Sequence, residues 1–288
     1  MIRLIRAEFL KVRTTQVWFW LFLFTIVVSG LLVVASIAPS GGIRDETKVP
    51  DLFAAFAASP GYVIVFVLGC LGVTTEFRYQ TITPTVLQTP SRWAIVTAKM
   101  ITYAILGILY AIAVIVVEIV VGVPWLSAKN IDVHFGDGAV QHSIIGTFGV
   151  IALFGIVGLG FGALMRNQIV AVVVGIIFLV IIENVLLAIP VVKHVWPYTP
   201  NGGTQAILYT NGDQTVNGVH LLSTGAGVVV LLLWAFVPAI VGAAITMNRD
   251  ITYEGADRRL VGHIRAVSHA GTDARRVISS FADSDDTT

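Results

Sequence analysis

Charge is what this sequence has least of: only 12% of its 288 residues are Asp, Glu, Lys or Arg, about half the share of an average soluble domain. The formal net charge is +1, which excludes a nucleic-acid binder built on bulk positive charge. One cysteine, Cys70, stands inside an apolar run. An intrachain disulfide and a thiolate metal cluster are therefore both excluded, and Cys70 reads as an ordinary lipid- or helix-facing residue. No Gly-Lys pair occurs, so the phosphate-cradling loop of a nucleotide hydrolase is missing. The six histidines (His134, His142, His194, His220, His263 and His269) form no H-E-x-x-H or i,i+4 pair that would hold zinc, and no G-x-S-x-G nucleophile is present. An enzyme is not expected.

What the sequence does have is apolar length. Hydrophobic residues make up 56% and the mean hydropathy is +0.86. A membrane-crossing helix needs about 20 mostly apolar residues. Six stretches meet or approach that length, at about 17–38, 52–75, 100–123, 143–164, 168–189 and 223–247. The expectation is an all-α polytopic membrane protein. Pro60-Gly61 interrupts the second stretch, so its Leu52 to Ala58 portion reads as either an interfacial or a re-entrant piece. The first stretch is too long for a signal-peptide core and is read as a retained helix. No internal repeat at a fixed period is found.

Lys and Arg favour the cytoplasmic side of short loops. With both termini inside, 14 of them lie on the inner side and only 4 (Arg44, Lys48, Lys129 and Lys193) outside. This predicts a multi-pass protein of a bacterial cytoplasmic membrane. Before the first stretch, Ile2, Ile5, Phe9 and Val12 share one helical stripe, with Arg3 and Lys11 pointing away from it. The pattern suits an amphipathic interfacial helix; a plain positive anchor without defined helix is the alternative. The outer segments 39–51, 124–142 and 190–222 are rich in turn formers. The third, with Pro190, Pro197, Pro200 and Gly202-Gly203, is long enough to hold a short helix dipping back from the outer surface. Residues 1–251 read as one six-helix domain, and 252–288 as a polar cytoplasmic tail, partly disordered.

Two carboxylates fall within apolar stretches, Glu118 in the third and Glu183 in the fifth, with Asn184 following. Ionisable groups at such depth are expensive and commonly face a cavity or a partner. They suit an intramembrane polar site that lines a cavity or holds a cation, and equally groups satisfied by neighbouring helices.

The segment between the second and third stretches mixes charge, rings and prolines: Glu76-Phe77-Arg78-Tyr79-Gln80-Thr81, then Leu87, Pro90-Ser91-Arg92 and Ala98-Lys99. Such a segment can form a short helix that grips another protein through buried rings and charge-assisted hydrogen bonds; a simple connector is the alternative. With its order of acidic residue, Thr, Leu, Pro, Ser-Arg and Ala-Lys, this stretch resembles the type-2 ATP-binding-cassette permease family, although Gln80 stands where that family has Gly. The opening Arg6-Ala7-Glu8-Phe9-Leu10-Lys11-Val12-Arg13-Thr14 and the closing Asn248-Arg249-Asp250-Ile251 are similar to the same family. The resemblance covers residues 1–251.

The resemblance implies a non-enzymatic membrane subunit of an exporter, with the ATP-hydrolysing subunit on a separate chain. It implies that ATP and Mg bind that partner rather than this chain, and that a second permease copy completes a two-plus-two assembly. Glu76, Phe77, Arg78, Tyr79, Thr81, Leu87 and Arg92 would then carry coupling to the ATPase. An ATP-independent ion-coupled transporter using Glu118 and Glu183, or a membrane-embedded sensor, is the alternative.

Overall fold

In lipid, a backbone can satisfy its own polar groups only as a helix or a closed barrel, and the computed structural model of this chain takes the first course. It describes residues 1–38, 43, 45–58, 61–79, 92–208, 215–242 and 244. Six helical segments are long and apolar enough to cross a membrane: Val17–Ile37, Glu46–Arg78, Trp93–Ala128, Gly138–Met165, Gln168–Ala188 and Thr224–Gly242. They are called the first to sixth long helices below, and they belong to a compact unit, Met1–Ala243. The second unit, Ala244–Thr288, lies outside the described residues apart from Ala244, and with it Asn248 to Ile251 and the tail.

The second long helix is composite. A 3-10 turn, Glu46–Lys48, leads into Val49–Ala58, and the chain resumes as Tyr62–Arg78. Leu52, Phe53 and Phe56 of the first piece are fully buried, so it is a packed element. The third long helix is the longest at 36 residues, about 54 Å at 1.5 Å per residue, against a hydrocarbon core of about 30 Å. Its helical residues start one position before that span, at Arg92, and end at Ala128, well outside the 100–123 expected from hydropathy.

Packing is uneven. The apolar windows of the second and fourth long helices are 75% and 67% buried, those of the first and fifth only 17% and 22%. The central pair approaches closely because its contacting faces carry glycine: a Cβ on Gly158 would stand 2.0 Å from the Phe66 carbonyl oxygen. Small residues at such crossings let backbones touch in the absence of a hydrophobic drive between helices. Tyr62, Phe66, Tyr110 and Phe154 fill the space around this crossing. Cys70 is fully buried there and so faces helices rather than lipid.

The fourth and fifth long helices join through two residues. Arg166, at φ 54°, ends one in the left-handed region, and the Asn167 side chain accepts hydrogen bonds from the Ile169 and Val170 amides to start the next. At the opposite end of the bundle, a short helix, Pro200–Leu208, is almost wholly buried, as the proline and glycine pattern of 190–222 allowed. His142 and Gln205 pin it: the His142 ring meets the Ile207 carbonyl at 2.7 Å, and Gln205 Nε2 donates to the Ala58 carbonyl at 3.1 Å. Among the described residues, one small departure from an all-α chain follows it. Thr215–Val216 pairs antiparallel with Val219–His220 across Asn217-Gly218, both at positive φ, the pairing that a two-residue hairpin prefers.

Candidate functional site

The N-terminal helix, Ile2–Thr14, exists, and its inward face is not simply apolar. Glu8 and Val12, one turn apart, are buried, while Ile2 is 82% exposed. Glu8 is surrounded by cations from two directions. Lys11 Nζ donates to Glu8 Oε1 at 2.6 Å, and Lys99 Nζ, from the third long helix, donates to Glu8 Oε2 at 2.7 Å. Both ammonium groups also reach Glu76 Oε1 near the end of the second long helix, at 2.8 Å from Lys11 and 2.7 Å from Lys99. The Gly72 carbonyl, one turn before Glu76, accepts from Lys99 at 3.4 Å.

Two carboxylates and two ammonium groups thus alternate in a neutral cluster. Glu8, Glu76 and Lys99 side chains are below 10% exposed, and Lys11 forms the outer wall. Burying any one of these charges alone would be costly; together each is opposed by two of opposite sign. Burial pushes the Lys11 ammonium pKa down, but its hydrogen bonds to Glu76 and Glu8 outweigh that, and the net shift is upward.

The cluster corrects two expectations. Lys11 does not point away from the packed face; it joins Glu8 and Glu76. Glu76 is not displayed from a connecting segment, because the second long helix continues to Arg78 and turns Glu76 inward. Phe77 lies under the Arg166 guanidinium, 5.9 Å from its ring centre. Arg78 donates to Gln168 Oε1 at 3.3 Å, tying this helix to the fifth. Tyr79 is 68% exposed. Thr81 and Leu87 lie outside the described residues, and Arg92 opens the third long helix. The sequence reading missed Glu8 and Lys99 as site residues. Glu8 carried a readable signal: it sits three residues after Ile5 and four before Val12, at the edge of the apolar stripe, where a charge needs a partner.

The intramembrane polar residues do not form one site. Glu118 opens a π-helical turn, Glu118–Gly122, in the third long helix, an irregularity frequent at functional positions. It is fully buried, and neither oxygen makes a hydrogen bond of ordinary geometry among the described residues; the backbone of Phe56 is a polar neighbour. Glu183 directly follows a second π-helical stretch, Ile177–Ile182, but is engaged. Its Oε2 accepts from Thr199 Oγ1 at 2.7 Å and from the Asn201 amide at 2.8 Å. It caps the Asn201 amide at the start of helix Pro200–Leu208, while Thr199 accepts from the Gly202 and Gly203 amides. Asn184 is exposed on another face and donates to the Val180 carbonyl of its own helix. Among the described residues, no three His, Cys, Asp or Glu side chains converge to hold a metal ion.

No protein-family model and no curated protein matches this chain.

Proposed function

We propose that this chain is the membrane-spanning subunit of an ATP-binding-cassette exporter whose ATPase is a separate polypeptide. The observation that carries the reading is the position of the buried ion cluster. Glu76 and Lys99 stand at the two roots of segment 80–91, the segment whose residues resemble the coupling region of type-2 permeases, and Glu8 and Lys11 bind the N-terminal helix to both roots. A push on the segment is therefore delivered to three helices together. Glu76 acts as a positioning residue, and Arg78, Tyr79 and Arg92, with Thr81 and Leu87, remain the ones that would meet the ATPase.

In this reading both termini and the cluster face the cytoplasm of a bacterial cell. ATP and Mg bind the partner chain, and two copies of each subunit assemble, with the substrate path between the permeases. ATP-driven closure of the ATPase pair shifts the bundle between two arrangements of different access. Substrate biases that balance only by its differential affinity for the two. A drug, lipid, peptide or polysaccharide precursor would each suit a path lined by apolar helices.

The second reading, an ion-coupled carrier, draws on Glu118, a buried carboxyl beside a π-helical turn. One experiment separates the two. The chain alone, and co-expressed with a candidate ATP-binding-cassette ATPase, is purified and reconstituted. The exporter reading expects no ATP hydrolysis from the chain alone, co-purification of the ATPase, and its loss in Arg78→Ala/Arg92→Ala. Uptake driven by a proton or sodium gradient without ATP would support the carrier instead.

A further inference from the structure

Two cavities flank the N-terminal helix, and their charges are in opposite states. The first, about 220 Å³, touches Lys11 and Arg78, but Lys11 is held by Glu8 and Glu76, and Arg78 by Gln168. The second, about 530 Å³, lies between the N-terminal helix, the start of the first long helix and the third long helix. Arg6 and Arg13 line it, together with Phe9, Trp18, Leu106 and Leu109, and no acidic residue does. Neither arginine has an ion pair or hydrogen bond among the described residues. They are seven residues apart, two helical turns, so they stand on one face at the lip of an apolar pocket.

The pocket also has an exit. Leu109, Ile112 and Val116 continue from it along one face of the third long helix, 42%, 46% and 51% exposed. From Leu106 to Val116 this track runs about 15 Å at 1.5 Å per residue. Two unpaired guanidinium groups at one end of a long apolar track match an amphiphile with an anionic head and a hydrocarbon tail. A free anion would leave the apolar wall unused, and a neutral hydrocarbon would leave both arginines unpaired.

We propose that this cavity is a binding site for a single anionic phospholipid. Its phosphate lies between Arg6 and Arg13, and one acyl chain follows Leu106, Leu109, Ile112 and Val116. The site does not depend on the exporter reading, since it concerns how the N-terminal helix is seated in the membrane.

The test uses the full chain purified from nanodiscs that contain phosphatidylglycerol and phosphatidylcholine in equal parts. Lipid retained after delipidating washes is measured by mass spectrometry. Phosphatidylglycerol should be retained in preference to phosphatidylcholine. Arg6→Ala/Arg13→Ala should lower its retention about tenfold, the scale of losing charge-assisted contacts worth roughly 1.4 kcal/mol. Arg3→Ala, an exposed arginine of the same helix outside the cavity, should not. Leu109→Trp, which keeps both arginines and fills the apolar wall, should also lower retention, and it covers the case in which the double variant fails to fold. Excess inorganic phosphate should not displace the lipid. Equal retention of the two lipids, an equal loss with Arg3→Ala, or unchanged retention in Leu109→Trp would mean annular lipid only and overturn the site. Displacement by phosphate would assign the arginines to a free anion and overturn it equally.

Discussion

Lys99 Nζ lies 2.7 Å from Glu8 Oε2 and 2.7 Å from Glu76 Oε1, joining residues 91 and 23 positions away in sequence. It is the one member of the cluster that is both buried and bonded to both acids, since Lys11 is 41% exposed. Lys99→Met removes its charge while keeping most of its length. Two buried carboxylates would then share Lys11 alone, and breaking a buried pair this way costs about 3–5 kcal/mol. The expected outcome is a large fall in melting temperature, followed by tryptophan fluorescence in detergent. Adding Glu8→Gln and Glu76→Gln should recover most of it, because the acids no longer need a counter-charge. Lys99→Met melting like the parent protein would mean that the cluster holds nothing together.

Lys11 gives the cluster an alkaline limit. Its folded pKa is raised above the ordinary 10.5, so the folded state binds its proton more tightly than the unfolded chain does. The contribution to stability is complete below about pH 10.5 and fades as pH rises through the folded value. Thermal melts at pH 9, 10, 11 and 12 should show a decline that begins above the ordinary value. In Lys11→Arg, which stays protonated throughout this range, the decline should be shallower. Identical pH profiles for the two proteins would remove Lys11 as the titrating group.

What was legible in the sequence follows from the range of the forces involved. Six helices could be read because lipid imposes a length and polarity rule on every crossing segment, and no tertiary information is needed to apply it. Their ends depart from the apolar stretches where the helix continues past the apolar window. Residues 92–99 are helical although Arg92 and Lys99 at their ends are charged, and Glu76 to Arg78 belong to a helix because packing and ion pairing continue past the hydropathy limit. The Asn217-Gly218 hairpin has a local signature in its Asn-Gly pair. The cluster was the opposite case: Glu8, Glu76 and Lys99 each stood in stretches singled out for other reasons, but their meeting depends on how the N-terminal helix packs against two others. Likewise, spacing places Glu118 and Glu183 inside helices, but only the fold shows that Thr199 and Asn201 engage one oxygen of Glu183.

That difference sets the last prediction, in which the same substitution acts in opposite directions at the two glutamates. Leu has nearly the volume of Glu and no polar atoms. At position 183 it would leave the Asn201 amide and the Thr199 hydroxyl without the carboxylate that accepts from both. Thr199 retains the Trp196 carbonyl as an acceptor, so the main loss falls on the Asn201 amide at the start of the short helix. Leaving a buried donor unpaired costs about 1–3 kcal/mol, so Glu183→Leu should lower the melting temperature, while Glu183→Gln, whose amide oxygen can still accept, should lower it less. At position 118 the balance reverses. A fully buried carboxyl without a hydrogen bond of ordinary geometry is itself a cost, and Glu118→Leu should melt at the same temperature as the parent or higher. Under the ion-coupled reading, which draws on this carboxyl, transport should fall in Glu118→Leu and Glu118→Gln despite sound folding. The measurements are melting curves and transport by reconstituted protein, each at equal protein level. If Glu118→Leu is the less stable of the two leucine variants, the assignment of roles is wrong. If it is stable and transports normally, Glu118 has no part in transport.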